Sequence, residues 1–219
     1  MTALVINISG CGGGDKGPQG IYPIIKKLFS HQAVSVINID TTPDELYPNI
    51  QKVAKLAFES SKDYKKIILV GYSMGGAVAA LTANQLNQDG KETINGIALL
   101  STQTDGLQHL GDLNIPILFY HGSKDPYFSS QEIESIFSRY QGPKKLVQVE
   151  NLGHNLAHEK STYVSSKYVH ELAKDIHKEI NSFFLNSEKD LWKPEEATTK
   201  TLPLRLLDQL INRIFSIRF

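Results

Sequence analysis

Three residue types in this sequence stand at a spacing that suits acyl chemistry: a serine, an aspartate and a histidine. Gly71-Tyr72-Ser73-Met74-Gly75 fits the pattern G-x-S-x-G. An apolar run, Ile67 to Val70, leads into it, and an Ala-rich stretch, Met74 to Asn87, leads out. A strand, a sharp turn and a helix in that order hold a serine hydroxyl above the strand end. The helix N-terminus beneath it favours developing negative charge. Gly71 and Gly75 leave room for the turn, and Gly76 lets the helix pack close to the sheet. A serine alone is a weak nucleophile; it needs a base, and the base needs an orienting acid. Asp125 lies in His121-Gly122-Ser123-Lys124-Asp125, which follows the apolar run Ile115 to Tyr120. His154 lies in Asn151-Leu152-Gly153-His154, which follows Leu146 to Val149. Serine, acid, histidine is the chain order expected for such an elbow.

The elements that must position these residues are legible as alternation. Ala3 to Ile8, Val34 to Ile39, Ile67 to Val70, Ile94 to Leu100, Ile115 to Tyr120 and Leu146 to Val149 are rich in Val, Ile and Leu. They show little polar alternation, as strands buried on both faces do. Between them Ile21 to Ser30, Asp44 to Ser60, Met74 to Asn87, Ser129 to Arg139 and Tyr163 to Leu185 have helical spacing or caps. Strand and helix in alternation predict an α/β chain, a three-layer α/β/α sandwich around a mostly parallel, six-stranded sheet. Ser73, Asp125 and His154 then share the C-terminal edge of the strands, where open α/β sheets carry their sites.

At these residues the chain resembles the α/β-hydrolase family, over about residues 3 to 185. The resemblance rests on Gly71-Tyr72-Ser73-Met74-Gly75-Gly76, His121-Gly122-Ser123-Lys124-Asp125 and Gly153-His154. It implies Ser73 as nucleophile, His154 as general base and Asp125 as its orienter. One oxyanion donor would be the Met74 N–H. The second would come from Ser9-Gly10-Cys11-Gly12-Gly13-Gly14, where the family often has His-Gly-x-Gly; Cys11 N–H is chosen, with Gly12 as the alternative. The first two strands of the family would be absent. Ser101 to Asn114 is too short for a helical cap, which implies an open site. Gly10, Gly12, Tyr72, Tyr127 and Phe128 would contact substrate, and Leu156 would join the apolar rim. The implied reaction is hydrolysis of a small acyl ester or thioester through an acyl-serine, with no cofactor.

Other residues compete for these roles. Asp105 is the reserve acid, His158 the rival histidine, and His121 is read as structural. Gly12-Gly13-Gly14-Asp15-Lys16-Gly17 also fits G-x-G-x-x-G, with Asp40 ending the next strand, the outline of a dinucleotide site. Asp15, Lys16 and Pro18 argue against it. A non-catalytic α/β-hydrolase-like binding or scaffold protein is the other alternative.

Composition excludes more than it selects. Lys plus Arg and Asp plus Glu are 23 each among 219 residues, so no basic excess serves nucleic acid. Cys11 is the only cysteine, which leaves no intramolecular disulfide and no Cys-rich zinc site. His residues with carboxylates make no convincing metal set. The first apolar run is short and has no preceding positive charge, so the expected location is cytoplasmic. Residues 1–185 are read as the domain, 186–201 as a charged linker and 202–219 as an amphipathic helix. In that helix Leu204, Leu207, Ile211 and Ile214 share one side, and three arginines (Arg205, Arg213, Arg218) stand against one aspartate (Asp208). Such a helix would pack on its own domain, form a homodimer contact, or lie peripherally on a membrane.

Overall fold

The computed structural model describes residues 2–11, 14–41, 45–104, 107–158, 165–186 and 195–200. Runs of Val, Ile and Leu become β1 (Ala3–Ile8), β2 (Val34–Ile39), β3 (Lys66–Tyr72), β4 (Gly96–Leu100), β5 (Ile117–Gly122) and β6 (Lys144–Val149). The helical stretches become α1 (Ile21–Phe29), α2 (Leu46–Ser60), α3 (Met74–Gln88), α4 (Ser130–Arg139) and α5 (Ser166–Ile180), which runs on into a π turn, Asn181–Leu185. A seventh strand, β7 (Glu195–Lys200), completes one sheet in the order β2-β1-β3-β4-β5-β6-β7. Every neighbouring pair in it is parallel.

β7 corrects two sequence expectations. The sheet has seven strands rather than six, and part of the expected linker is a strand, paired from Lys144↔Glu195 to Val149↔Lys200. The reason lies in its place. An edge strand has one partner, and charge there discourages further pairing, so Glu-Glu-Ala-Thr-Thr-Lys carries no apolar run to reveal it. The other edge departs from expectation too. In β2 only Val36 and Ile39 are buried, and Ile37 is exposed, whereas β1 and β5 are buried throughout.

Side chains alternate between the two faces along each strand. Leu4, Ile6, Leu69, Leu99 and Phe119 pack under α2, α3 and α4, meeting Val53, Ala57, Val78 and Ile133. Val5, Ile68, Val70, Leu118 and Tyr120 pack under α1 and α5, meeting Ile25, Phe29, Leu172 and Ile176. Each such aliphatic or aromatic side chain contributes about 1.5–3 kcal/mol on burial. Leu156, expected at the rim, belongs to this second cluster and is fully buried. Its φ of 57° turns the chain so that the side chain points inward.

The chain runs from β1 outward to β2, then crosses to β3 on the other side of β1. The loops after β1 and β3 therefore leave in opposite directions and open a crevice between them. Among the described residues no helix is long and apolar enough to cross a membrane. The expected helix at 202–219 lies outside the described residues.

Candidate active site

Ser73 sits between β3 and α3 with φ 51° and ψ −120°. A non-glycine residue in such a conformation is strained by about 1–3 kcal/mol. The surroundings hold it there. Ser73 N–H donates to Leu100 C=O at 3.1 Å, and its own C=O accepts from Gly76 N–H at 3.0 Å and Gln103 N–H at 3.3 Å. Close approach of backbones requires the flanking glycines. A Cβ on Gly75 would overlap the carbonyls of Ile8 and Ser9, and one on Gly71 would overlap the backbone of Gly75 and Gly76. Gly76 does bring α3 close to the sheet, its Cα lying against Gly71 of β3, and a Cβ on Gly76 would also run into the Thr102 side chain beyond β4.

The loops after β5 and β6 are tied together before they deliver their residues. Ser123 N–H donates to Val149 C=O at 2.9 Å, Lys124 N–H to Leu152 C=O at 2.8 Å, and Asn151 N–H to Ser123 Oγ at 3.0 Å. Gly122 leaves no space for a side chain against the Leu152 carbonyl. Asp125 then enters a tight turn in which Oδ1 accepts from Tyr127 N–H at 2.9 Å and Phe128 N–H at 3.3 Å. α4 starts directly beyond, fixed by a reciprocal cap between Ser129 and Glu132.

These loops bring Ser73, His154 and Asp125 into one chain of hydrogen bonds. His154 Nδ1 is 2.9 Å from Asp125 Oδ2, and His154 Nε2 is 2.9 Å from Ser73 Oγ. Burial opposes ionisation of Asp125. The hydrogen bond from His154, the Tyr127 N–H and the two nearby imidazoles outweigh it, so its pKa lies below the usual carboxylate value. An ionised carboxylate only accepts, so Nδ1 carries the imidazole proton and Nε2 presents its lone pair to Ser73. Ser73 and Asp125 are buried, while the His154 side chain keeps 17% of its exposure.

Aromatic rings surround that opening. Tyr127, Tyr72 and Phe128 have ring centroids 4.8, 5.5 and 6.4 Å from the His154 ring. Tyr127 is 69% exposed. Burial, followed by the Asp125 charge and Tyr127, pushes the Tyr72 hydroxyl up to about 12, so it stays protonated at neutral pH.

The oxyanion candidates lie on either side of the crevice. Met74 opens α3, and Cys11 is exposed in the turn after β1. Gly10 is pressed against the elbow: a Cβ there would stand 2.9 Å from the Tyr72 ring and 3.0 Å from Ser73 Cβ. Gly12 and the reserve acid Asp105 lie outside the described residues. The rival histidine His158 lies tilted against Tyr168, ring centroids 5.8 Å apart. The glycine pattern of the dinucleotide reading serves packing at Gly17, whose α-carbon lies against the Tyr22 ring. Asp40 Oδ1 accepts from Ser9 Oγ at 3.4 Å. Among the described residues no group of His, Cys, Asp and Glu could hold a metal ion.

His121, read from the sequence as structural, is buried beside Asp125, and sequence reasoning missed Thr41, which binds the loop after β1. The His121-Gly122 pair at a strand end was a usable signal; Thr41 sits 32 residues from Ser9 and gave none.

A parallel sheet covered on both faces, with serine, histidine and aspartate hydrogen-bonded in series at its C-terminal edge, defines an α/β-hydrolase fold. The dienelactone hydrolase family model matches residues 28–187, and the chain belongs to that family. No curated protein matches it. Among solved structures, Est1E from Butyrivibrio proteoclasticus superposes with a TM-score of 0.65 at 13% identity, covering 83% of this chain and 88% of that one. The dienelactone hydrolase from Anabaena variabilis gives 0.60 at 16% identity, covering 84% and 87%. The monoacylglycerol lipase from Paleococcus ferrophilus gives 0.64 at 12% identity, covering 82% and 94%. At these identities the likeness is one of fold.

Proposed function

We propose that the chain is a serine hydrolase that cleaves a carboxylic ester or thioester through an acyl-serine intermediate. The observation that carries this reading is the continuous chain from Ser73 Oγ through His154 to Asp125, two contacts of 2.9 Å, at a strained turn. Ser73 Oγ attacks the carbonyl carbon while His154 Nε2 takes its proton. Asp125 holds the imidazole in the required tautomer and stabilises the imidazolium that forms. The N–H groups of Cys11 and Met74 bind the oxyanion. His154 then protonates the leaving group, and an acyl-serine remains. Water enters, gives its proton to His154, and attacks the acyl carbon; the carboxylic acid leaves and Ser73 regains its proton.

Tyr72, Tyr127 and Phe128 cluster around His154, and they support a substrate with an apolar or ring-bearing group there. Gly10 adds close backbone beside Tyr72 and Ser73. A structure of Est1E has ferulic acid bound, a ring-bearing acid. The short 3-10 turn Leu107–Asp112 after β4 supports an open site without a helical cap.

The test is intact-mass analysis after treatment with a fluorophosphonate probe, with Ser73→Ala alongside. One adduct on the wild type and none on the variant is expected. A folded wild type without an adduct overturns the proposal. Ester and thioester panels of graded acyl and leaving groups then separate the substrates.

A further inference from the structure

Ser9 and Gly10 are held from one side by a single buried hydroxyl. Thr41 Oγ1 donates to Ser9 C=O at 3.0 Å and lies 3.4 Å from Gly10 C=O. Thr41 N–H donates to Ser9 Oγ at 3.1 Å, and the two hydroxyl oxygens are 3.3 Å apart. Ser9 N–H donates to Ile39 C=O at 3.1 Å. Ser9 is fully buried and Thr41 nearly so. With one proton to give, the Thr41 hydroxyl serves the Ser9 carbonyl first and the Gly10 carbonyl as a longer branch.

Peptide geometry turns this anchoring into aim. In a trans peptide the C=O and the following N–H point in opposite directions. Drawing the carbonyls of Ser9 and Gly10 toward Thr41 therefore turns the N–H groups of Gly10 and Cys11 away from it. Sheet order says what lies on that side. β1 runs between β2 and β3, so its outgoing loop has Thr41 on one flank and Ser73 on the other. A Cβ on Gly10 would stand 3.0 Å from Ser73 Cβ, so the loop lies against the elbow.

We propose that Thr41 is a positioning residue for the oxyanion hole: its hydroxyl fixes the Ser9–Gly10–Cys11 backbone so that the Cys11 N–H faces the carbonyl attacked by Ser73. This rests on the function proposed above. Thr41 itself touches no substrate. Valine has the same shape without the hydroxyl, and would leave two carbonyls without their donor and the peptide planes free to rotate. Serine keeps the hydroxyl and loses only a methyl.

The experiment compares wild type, Thr41→Val and Thr41→Ser on one ester substrate, with thermal midpoints and phosphonylation rates measured in parallel. Loss of an oxyanion donor lowers turnover by about 10²–10³-fold. A misaimed donor in Thr41→Val is expected to lower kcat by roughly 10–100-fold with KM within about twofold. Phosphonylation should slow alongside, because the phosphoryl oxygen uses the same hole. Thr41→Ser should recover kcat to within about threefold of wild type. A Thr41→Val enzyme as fast as wild type overturns the proposal, and so does a Thr41→Ser enzyme as slow as Thr41→Val. Should Thr41→Val fail to fold, the smaller Thr41→Ala is read by the same criteria. A wild type with neither turnover nor adduct removes the functional reading and this proposal together. An active wild type with unaffected variants removes this proposal alone.

Discussion

His121 Nδ1 stands 4.0 Å from Asp125 Oδ2, the same oxygen that binds His154. Both ring nitrogens of His121 are buried, and among the described residues neither meets a partner in good hydrogen-bond geometry, the Phe128 backbone being the nearest help. Burial lowers its pKa from the usual 6.5; Asp125, the Phe128 backbone and Glu132 pull the other way, while His154 lowers it further. Kept neutral, His121 does not compete with His154 for the carboxylate. Because the folded pKa lies below the unfolded one, the unfolded chain binds more protons in acid. The stability this group supports is full above about pH 6.5 and is lost as pH falls toward its folded pKa. Asp125 acts with the same sign lower down, below about pH 4. His158 and His177 are shifted in the same direction but are present in every variant. Thermal midpoints measured from pH 8 to pH 5 should therefore fall less in His121→Gln than in wild type. Equal falls would mean that His121 does not titrate with folding.

Strain at Ser73 gives a second expectation. Its φ of 51° suits glycine, and alanine carries the same strain as serine. Ser73→Gly should be inactive and should melt higher than Ser73→Ala, by the equivalent of about 1 kcal/mol. This reverses the order found inside ordinary helices, where glycine is the worse residue. Calorimetry on the two variants decides it. A lower midpoint for Ser73→Gly would place the elbow outside the strained region.

Much of this site was legible because its determinants are local. The elbow needs a strand, small residues and a helix within a dozen positions, and Gly71 to Gly76 supply them in sequence. Asp125 and His154 were legible because each follows an apolar run that becomes a strand. What escaped depends on contacts formed across the fold. β7 has an edge strand's composition. Leu156 enters the core through a positive-φ turn that its residue type does not announce. Thr41 acquires its role only when β2 is laid beside β1. The glycines after β1 fit two site types by pattern, and Gly17 is explained by the Tyr22 ring that covers it.

Gly75 tests how closely the elbow and the loop after β1 must fit. An added Cβ would run into the carbonyls of Ile8 and Ser9, which are backbone and cannot swing away. Gly75→Ala should therefore push the loop carrying Gly10 and Cys11 off the elbow. Overpacking of this kind costs about 1–3 kcal/mol, and a displacement near 1 Å can lower turnover about 10²-fold. Both a lower thermal midpoint and a lower kcat are expected. A variant matching wild type in both would show that the crevice is slack.

Tyr127 separates substrate contact from stability. Its ring stands edge-on to His154 at 4.8 Å yet is 69% exposed. Truncation removes little buried surface, so Tyr127→Ala should stay within about 0.5 kcal/mol of wild-type stability. With esters that carry an aromatic ring its kcat/KM should fall by roughly 5–10-fold, as befits the loss of an aromatic contact of about 1 kcal/mol. With small aliphatic esters it should change little. Equal losses on both substrates would assign Tyr127 to support of the Asp125 turn instead.

Truncation of the C-terminal region has to respect β7. Stopping at Asn186 removes the strand that covers β6 and leaves its N–H and C=O groups as an open edge. Stopping at Lys200 keeps all seven strands and removes only 201–219. The shorter protein should melt lower and aggregate, whereas the longer should keep the wild-type midpoint and ester turnover. Liposome flotation compared between full chain and the 1–200 form then reports on the amphipathic segment alone. Flotation lost with 201–219 assigns membrane contact to that segment; flotation equal in both removes it. A 1–186 form as stable as wild type would show that β7 adds nothing to the sheet.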